Sequence, residues 1–391
     1  MTRNAAHFSV FQPHTLLKHA IFREYFQRWG RILLLGGSSR KLVRVVDACA
    51  GRGRDSAGSP GSPLIAIREA AAAADQVSQI RGERVEIEVV AVEKRAGSFR
   101  ALQSAVSEAA TGHPVRLHHG TLADIMARLE KDFGEVPTFF FIDPFGMEAL
   151  PADVIRRALR GRKNEVLLLY AGQAALRHAG AVQAGERVLD PEPTLFDQVA
   201  DTQHLEQDET DTQRLEGAER SKRILDAAFD GFDWRSVIAQ TRRGSERREA
   251  LLALYRKSLE GLGASQILRI PILNTRAHLK YDLIHASHSP IAAGVMKEAA
   301  HSAWGKAEVG GSAVTLSREV VSGSAIRNGV NEIQRQFAGM EVPWQTPSRV
   351  VPSVRRYALE QTSLWPHNFD DLRKALKQYE FKRGHYKFPP V

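Results

Sequence analysis

Between residues 42 and 172 the hydrophobic pattern switches between a period of two and a period near 3.6, and this alternation restricts the fold more than any other feature. "LVRVVDACAG" is a β-branched run that ends in Asp and Gly. "GSPLIAIREAAAAA" then reads as an Ala-rich helix from about Pro63. "VEIEVVAVEK" is a second strand, "FRALQSAVSEAA" a helix, "PVRLHHGTLAD" a third strand and "IMARLEKDF" a helix. "PTFFFIDPFG" is the fourth strand, and "PADVIRRALRG" is a helix with Pro151 early, where a helix tolerates it. "NEVLLLYAG" is the fifth strand. Five such alternations predict an α/β fold, with a mostly parallel sheet covered by helices on both faces. The uninterrupted apolar run at 139–142 reads as a strand buried on both sides.

The flanking segments add to this core. A helix is expected over 15–35, because Leu17, Ile21 and Tyr25 are spaced by four, as are Phe22 and Phe26, with Trp29 and Leu33 continuing the stripe. It is expected to pack on the main domain, with residues 1–40 as its extent. Residues 173–263 read as a polar helical insertion. Within it "DTQHLEQDETDTQRLEGAER" has no apolar stripe and is expected to be a solvated face or a mobile insertion. Strands at 265–273 and 279–287 are joined by "NTRAH", short enough for an antiparallel hairpin, giving seven strands in all. "IAAGVMKEAAHSAW" closes a Rossmann-like domain over 41–304. Residues 305–345, with Gly and Ser clusters, read as a linker with some helix. The tail, 346–391, holds helices in "PSVRRYALEQTS" and "NFDDLRKALKQYEFKRG" and a short strand in "GHYKF". Asn368 is the expected N-cap of the second helix, and Phe369, Leu372, Leu376 and Tyr379 fall on one of its faces.

A length of 391 residues is more than one core usually serves, which fits one large domain and one small one. The single cysteine, Cys49, excludes intramolecular disulfides and fits a reducing compartment. "MTRNAAHFSV" lacks the apolar centre of a signal peptide, and no run reaches the ~18 apolar residues of a membrane span, so a cytoplasmic location is expected. The net charge of +9 permits a polyanionic partner.

Two strand ends carry the candidate chemistry. Asp47, Gly51 and Gly53 lie where the first strand turns into a helix, and glycines there let the backbone approach a bound cofactor. Glu93, at the end of the second strand, is placed to accept hydrogen bonds from ribose hydroxyls. The dinucleotide spacing G-x-G-x-x-G is broken by Ser56, and Glu93 lies much farther on than that motif requires. The pattern therefore points away from NAD and toward S-adenosylmethionine (SAM). The plain alternative is a tight turn that needs glycine. The fourth strand ends at Asp143, beside the first across the switch in strand order, so Asp47, Gly51, Gly53 and Asp143 are expected to face one crevice. In the tail, Arg373, Lys374, Lys377, Lys382 and Arg383 are candidates for phosphate neutralisation, with a solvated helix face as the plain alternative. The pairs His118/His119 and His285/His288 lack further ligands at metal spacing, and no G-x-S-x-G elbow is present, so neither a metal centre nor a serine hydrolase is expected.

The glycine turn, the acid after the second strand and the tetrapeptide after the fourth together resemble the class I SAM-dependent methyltransferases. "DPFG" is similar to the Asn/Asp-Pro-Pro-Tyr/Phe motif of amino-methyltransferases that act on bases, without its second proline. The resemblance implies that Asp143 and the Pro144 carbonyl accept hydrogen bonds from the target amine and that Phe145 stacks on the base. More of the chain, about 14–300, resembles the three-Cys-motif partner protein family, through "KHAIFREYFQRW", "DACAGRGR", "GSPLIAI", "AVEK", "PTFFFIDPFG" and "YDLIHAS…MKEA". That resemblance implies a methyltransferase-like protein that works beside a three-Cys-motif, radical-SAM-like protein. Cys49 stands where Phe is more usual in such a motif and is read as a packing residue. The tail resembles a winged helix-turn-helix. Two functions stay open: methyl transfer to nucleic acid or a related substrate, and a methyltransferase-like scaffold that bridges nucleic acid and the partner without chemistry of its own.

Overall fold

The computed structural model describes residues 10–37, 39–109, 112–144, 146–189, 204–241, 243–273, 279–309, 323–345 and 353–390. Strands and helices alternate as β1 (Leu42–Asp47), α2 (Ser62–Arg81), β2 (Glu86–Glu93), α3 (Ala96–Glu108), β3 (Val115–His119), α4 (Leu122–Leu129), β4 (Thr138–Ile142), α5 (Ala152–Leu159) and β5 (Glu165–Tyr170), preceded by α1 (Pro13–Leu35). The insertion forms α6 (Gly172–Leu189), α7 (His204–Phe229), α8 (Trp234–Gln240) and α9 (Gly244–Gly261). The hairpin β6 (Gln266–Leu273) and β7 (Leu279–Ser287) and the helix α10 (Pro290–Val309) follow.

One seven-stranded sheet has the order β3-β2-β1-β4-β5-β7-β6. Strands β1 to β5 are parallel, and β7 runs antiparallel between β5 and β6. This is the doubly wound, Rossmann-like α/β order with an antiparallel strand inserted near one edge, the sheet that the methyltransferase resemblance implies. The chain runs outward from β1 to β3 and then returns to β4. The switch point therefore lies between β1 and β4, which pair from Arg44↔Thr138 to Asp47↔Phe141.

Successive side chains of a strand point to opposite faces, and β4 shows why its run is wholly apolar. Phe139 and Phe141 enter the layer formed with α1, α2 and α10, and Phe140 enters the layer on the other face. Phe22 of α1 stacks on Phe141 at 4.5 Å. Gly30 lets α1 come so close that a Cβ there would stand 2.9 Å from Ile87 Cδ1. The α1 stripe is as expected, except that Leu34 is the buried residue near its end and Leu33 is only partly covered.

The acidic insertion forms the solvated helix face that one of its two readings expected, with most of residues 213–220 exposed. Residues 204–220 belong to the long helix α7. The helix packs on α6 through small residues: a Cβ on Gly185 would stand 2.4 Å from Ala218 Cβ. Such a contact needs no broad apolar stripe. The C-terminal unit starts earlier than 346. The expected linker 305–345 contains α11 (Gly323–Gln336) and β8 (Glu341–Pro343), and their Val330, Ile333, Phe337 and Val342 share one core with α12 (Val354–Gln361) and α13 (Phe369–Leu376). The strands β9 (Glu380–Lys382) and β10 (His385–Lys387) complete a sheet of order β8-β10-β9. Asn368 precedes α13, but its side chain accepts from the Trp365 N–H and so closes the preceding turn instead of capping the helix.

Candidate functional site

The switch point gathers three acidic side chains and one ammonium. Asp47 ends β1 and is fully buried. Its Oδ1 accepts from the Cys49 N–H at 3.3 Å, and its Oδ2 has no hydrogen-bond partner. The Ser62 hydroxyl is near enough to favour the charged form without meeting hydrogen-bond geometry at Oδ2. Burial raises the Asp47 pKa to about 7, with Asp143 adding to the rise and Ser62, Cys49 and Lys18 opposing it.

Glu93 ends β2 and reaches across to the turn after β1. One oxygen accepts from the Gly51 N–H at 2.9 Å and the other from the Arg95 N–H at 2.7 Å. A carboxylate has about four lone-pair sites, so two remain for a ligand. Gly51 has φ 66° and Gly53 φ 81°, the left-handed region where glycine is strongly favoured. A Cβ on Gly53 would meet Ala105 Cβ of α3 at 3.0 Å, so close packing on α3 already requires glycine at that position. The turn is tied together by Asp55, whose carboxylate accepts from the N–H groups of Phe11, Ala57 and Ser59.

Asp143 follows β4. Its Oδ2 accepts from the ammonium of Lys18, a buried residue of α1. That ammonium also lies 5.9 Å from the centre of the Tyr281 ring of β7, and the Tyr281 hydroxyl donates to the His14 carbonyl at 2.6 Å. Burial, and then the Asp143 charge, hold the Tyr281 phenol well above its ordinary pKa. The first turns of α1 thus contact both Asp143 and β7. Burial, and then the carboxylates of Asp143, Asp47 and Glu93, push the Cys49 thiol up, which leaves it a packing group. The structure brings Asp47, Gly51, Glu93 and Asp143 together at the carboxyl ends of β1, β2 and β4, with Pro144 buried next to Asp143. Phe145 lies outside the described residues.

Sequence reasoning assigned no role to Lys18 or Asp55. The signal for Lys18 was a charged residue four positions before Phe22, within an apolar stripe. In the tail, Lys374, Lys377, Lys382 and Arg383 are exposed, and Lys374 pairs with Asp371 at 3.1 Å. Arg373 is exposed too, with its guanidinium 5.6 Å from the Trp344 ring centre. The histidines have local partners: His119 stacks on Phe99, His285 meets Glu165 at 3.0 Å, and His288 meets the Leu159 carbonyl at 2.6 Å. Among the described residues no helix is long and apolar enough to cross a membrane.

No family model and no curated protein matches the chain. Similar solved structures include protein LPL1258 from Legionella pneumophila, at 11% identity and a TM-score of 0.35, covering 70% of this chain and 85% of that one. The O-methyltransferase TomG from Streptomyces achromogenes, in complex with SAM, is 15% identical with a TM-score of 0.31, covering 73% of this chain and 99% of that one. The methyltransferase PaMTH1 from Podospora anserina, bound to SAH, is 12% identical with a TM-score of 0.26, covering 73% and 92%. At these values the fold assignment rests on the chain's own strand order, with its switch point between β1 and β4.

Proposed function

We propose that this chain is a SAM-dependent methyltransferase of the three-Cys-motif partner type, acting on or with nucleic acid alongside a three-Cys-motif protein. The observation that carries the reading is the Glu93 carboxylate joined to the Gly51 N–H beside the switch point, with Asp143 at the neighbouring strand end. Asp47, Glu93 and Asp143 against the single ammonium of Lys18 favour a ligand of net positive charge. SAM carries a sulfonium, an ammonium and one carboxylate, and when bound it would supply an electrophilic methyl group. The free lone pairs of Glu93 would take ribose hydroxyls, and the orphaned Oδ2 of Asp47 would gain a cationic neighbour. Asp143 and the Pro144 carbonyl would orient an acceptor amine, with Phe145 stacked on its base. Alignment of the acceptor with the methyl group would supply most of the rate. The C-terminal unit, read as a winged helix-turn-helix, would present Lys374, Lys377, Lys382 and Arg383 to phosphates, with Arg373 held closer to Trp344.

Titration calorimetry with SAM tests this directly. Binding in the micromolar range is expected, weakened at least about tenfold by Glu93→Ala through lost charge-assisted hydrogen bonds and little changed by Asp143→Ala. Folded protein that gives no heat at high micromolar SAM would sink the reading. One observation favours the scaffold alternative: Asp143 is already engaged by an ammonium, that of Lys18. In that case nucleic-acid binding is salt-sensitive and no methyl transfer accompanies it.

A further inference from the structure

The insertion and the segment after β4 enclose a second feature. A cleft of about 430 Å³ lies between α7 and residues 147–151, lined by Met147, Glu148, Pro151, Arg220, Arg223, Ile224 and Ala227. Its volume is within the range of ligand sites. Met147 stands four residues beyond Asp143, so part of the cleft lining comes from the segment that follows that strand end. Arg220, Arg223, Ile224 and Ala227 recur at spacings of three and four and thus share one face of α7.

The two arginines have no acidic partner among the described residues. Arg223 donates only to the Glu219 carbonyl of its own helix, at 3.3 Å, and the Glu219 carboxylate is 3.8 Å from Lys222. Neighbouring arginines are committed elsewhere: Arg156 to Asp230, and Arg157 to Glu130 at 2.8 Å. Glu148 is the one carboxylate in the lining. Within this cleft two guanidiniums face one carboxylate over a floor of Met147, Pro151, Ile224 and Ala227, while Glu216 and Glu219 line an adjoining cleft with the same arginines. Arginine is the side chain whose planar fork best fits phosphate oxygens, and an apolar floor of this kind suits the face of a flat ring.

We propose that this cleft is an acceptor subsite for a phosphorylated nucleoside, in which Arg220 and Arg223 hold a phosphate next to the base presented at Asp143. The inference rests on the methyltransferase reading for its link to chemistry, but not for the binding itself. A nucleoside monophosphate and a single-stranded oligonucleotide share the chemistry that the cleft recognises.

Fluorescence anisotropy with a labelled single-stranded 15-mer tests it on the full chain, with SAM calorimetry run on the same samples. The double variant Arg220→Ala/Arg223→Ala is expected to bind the oligonucleotide at least about tenfold more weakly, from the loss of charge-assisted contacts. The slope of log affinity against log salt should fall by roughly 0.7 for the one phosphate held on a single strand. SAM affinity should not change, and the Lys/Lys variant should recover much of the binding. Competition by millimolar AMP would identify a mononucleotide as sufficient; competition by unlabelled oligonucleotide alone would identify the strand. Unchanged affinity and salt slope in the double variant, with SAM binding intact, would overturn the proposal. Arginine-dependent binding in a protein that takes no SAM would uphold the subsite and refute the methyltransferase reading.

Discussion

Asp47 offers the sharpest test of the site, because its carboxyl is buried without full compensation. Its pKa stands at about 7 in the fold against an ordinary value of 3.8, with burial as the largest cause. The folded state therefore holds a proton that the unfolded chain has released, and stability from this group falls as pH rises from about 4 through 7. At about 1.36 kcal/mol per unit the full penalty is about 4 kcal/mol, and about 2–3 kcal/mol of it develops between pH 5 and pH 8. Asp47→Asn removes that titration. Its amide keeps an oxygen for the Cys49 N–H, but the new NH₂ group needs a buried acceptor, a cost of about 1–3 kcal/mol that does not vary with pH.

The assay is urea unfolding of wild type and Asp47→Asn, followed by the buried Trp29 and Trp234, at several pH values from 5 to 8. The stability of Asp47→Asn minus that of wild type should rise by about 2–3 kcal/mol across this range and flatten above pH 7. The constant amide penalty cancels in that comparison. A flat or falling difference would show that Asp47 is charged in the fold at all these pH values, and the reasoning from desolvation would fail. Under the proposed function the same variant gains stability at neutral pH and loses affinity for a cationic ligand, the exchange expected where a strained charge is kept for binding.

Two further variants probe the framework. Lys297 of α10 is buried and donates to the carbonyls of Leu359 and Thr362 at 2.8 Å and of Leu364 at 3.1 Å, around the C-terminal end of α12; Lys297→Met should loosen the C-terminal unit by about 3 kcal/mol, seen as faster hydrogen exchange in residues 353–388 while β1 and β4 stay protected. Gly53→Ala meets both a left-handed φ of 81° and Ala105 Cβ at 3.0 Å, and should cost about 1–3 kcal/mol in thermal unfolding.

The legible part of this molecule was what local periodicity records. The β6 and β7 boundaries agree with the expected strands to within a residue, and β1 lies beside β4 as the order of a doubly wound sheet demands. The strand β8 was missed because three residues cannot display a period. The helical, polar character of residues 204–220 was legible, but the packing of α7 through Ala218 on Gly185 was not, because such a contact needs small side chains more than apolar ones. Long-range partners were also hidden: Lys18 and Asp143 are 125 residues apart, and Phe11 and Asp55 are 44 apart. No local pattern encodes such a pairing, although a lysine inside an apolar stripe marks a residue that must find a buried partner.

These limits bear on "FFFIDPFG" itself. The apolar half is accounted for by packing alone, with Phe139 and Phe141 under α1 and Phe140 on the opposite face. The polar half is not, since a turn would need neither a carboxylate at position 143 nor a buried ammonium brought from α1 to meet it. Burying Lys18 costs more than an apolar residue would at that position, and the ion pair returns that cost only with good geometry. A part-buried pair at the switch point of the sheet, beside a second carboxylate left partly unpaired, is the arrangement that the proposed ligand chemistry would use.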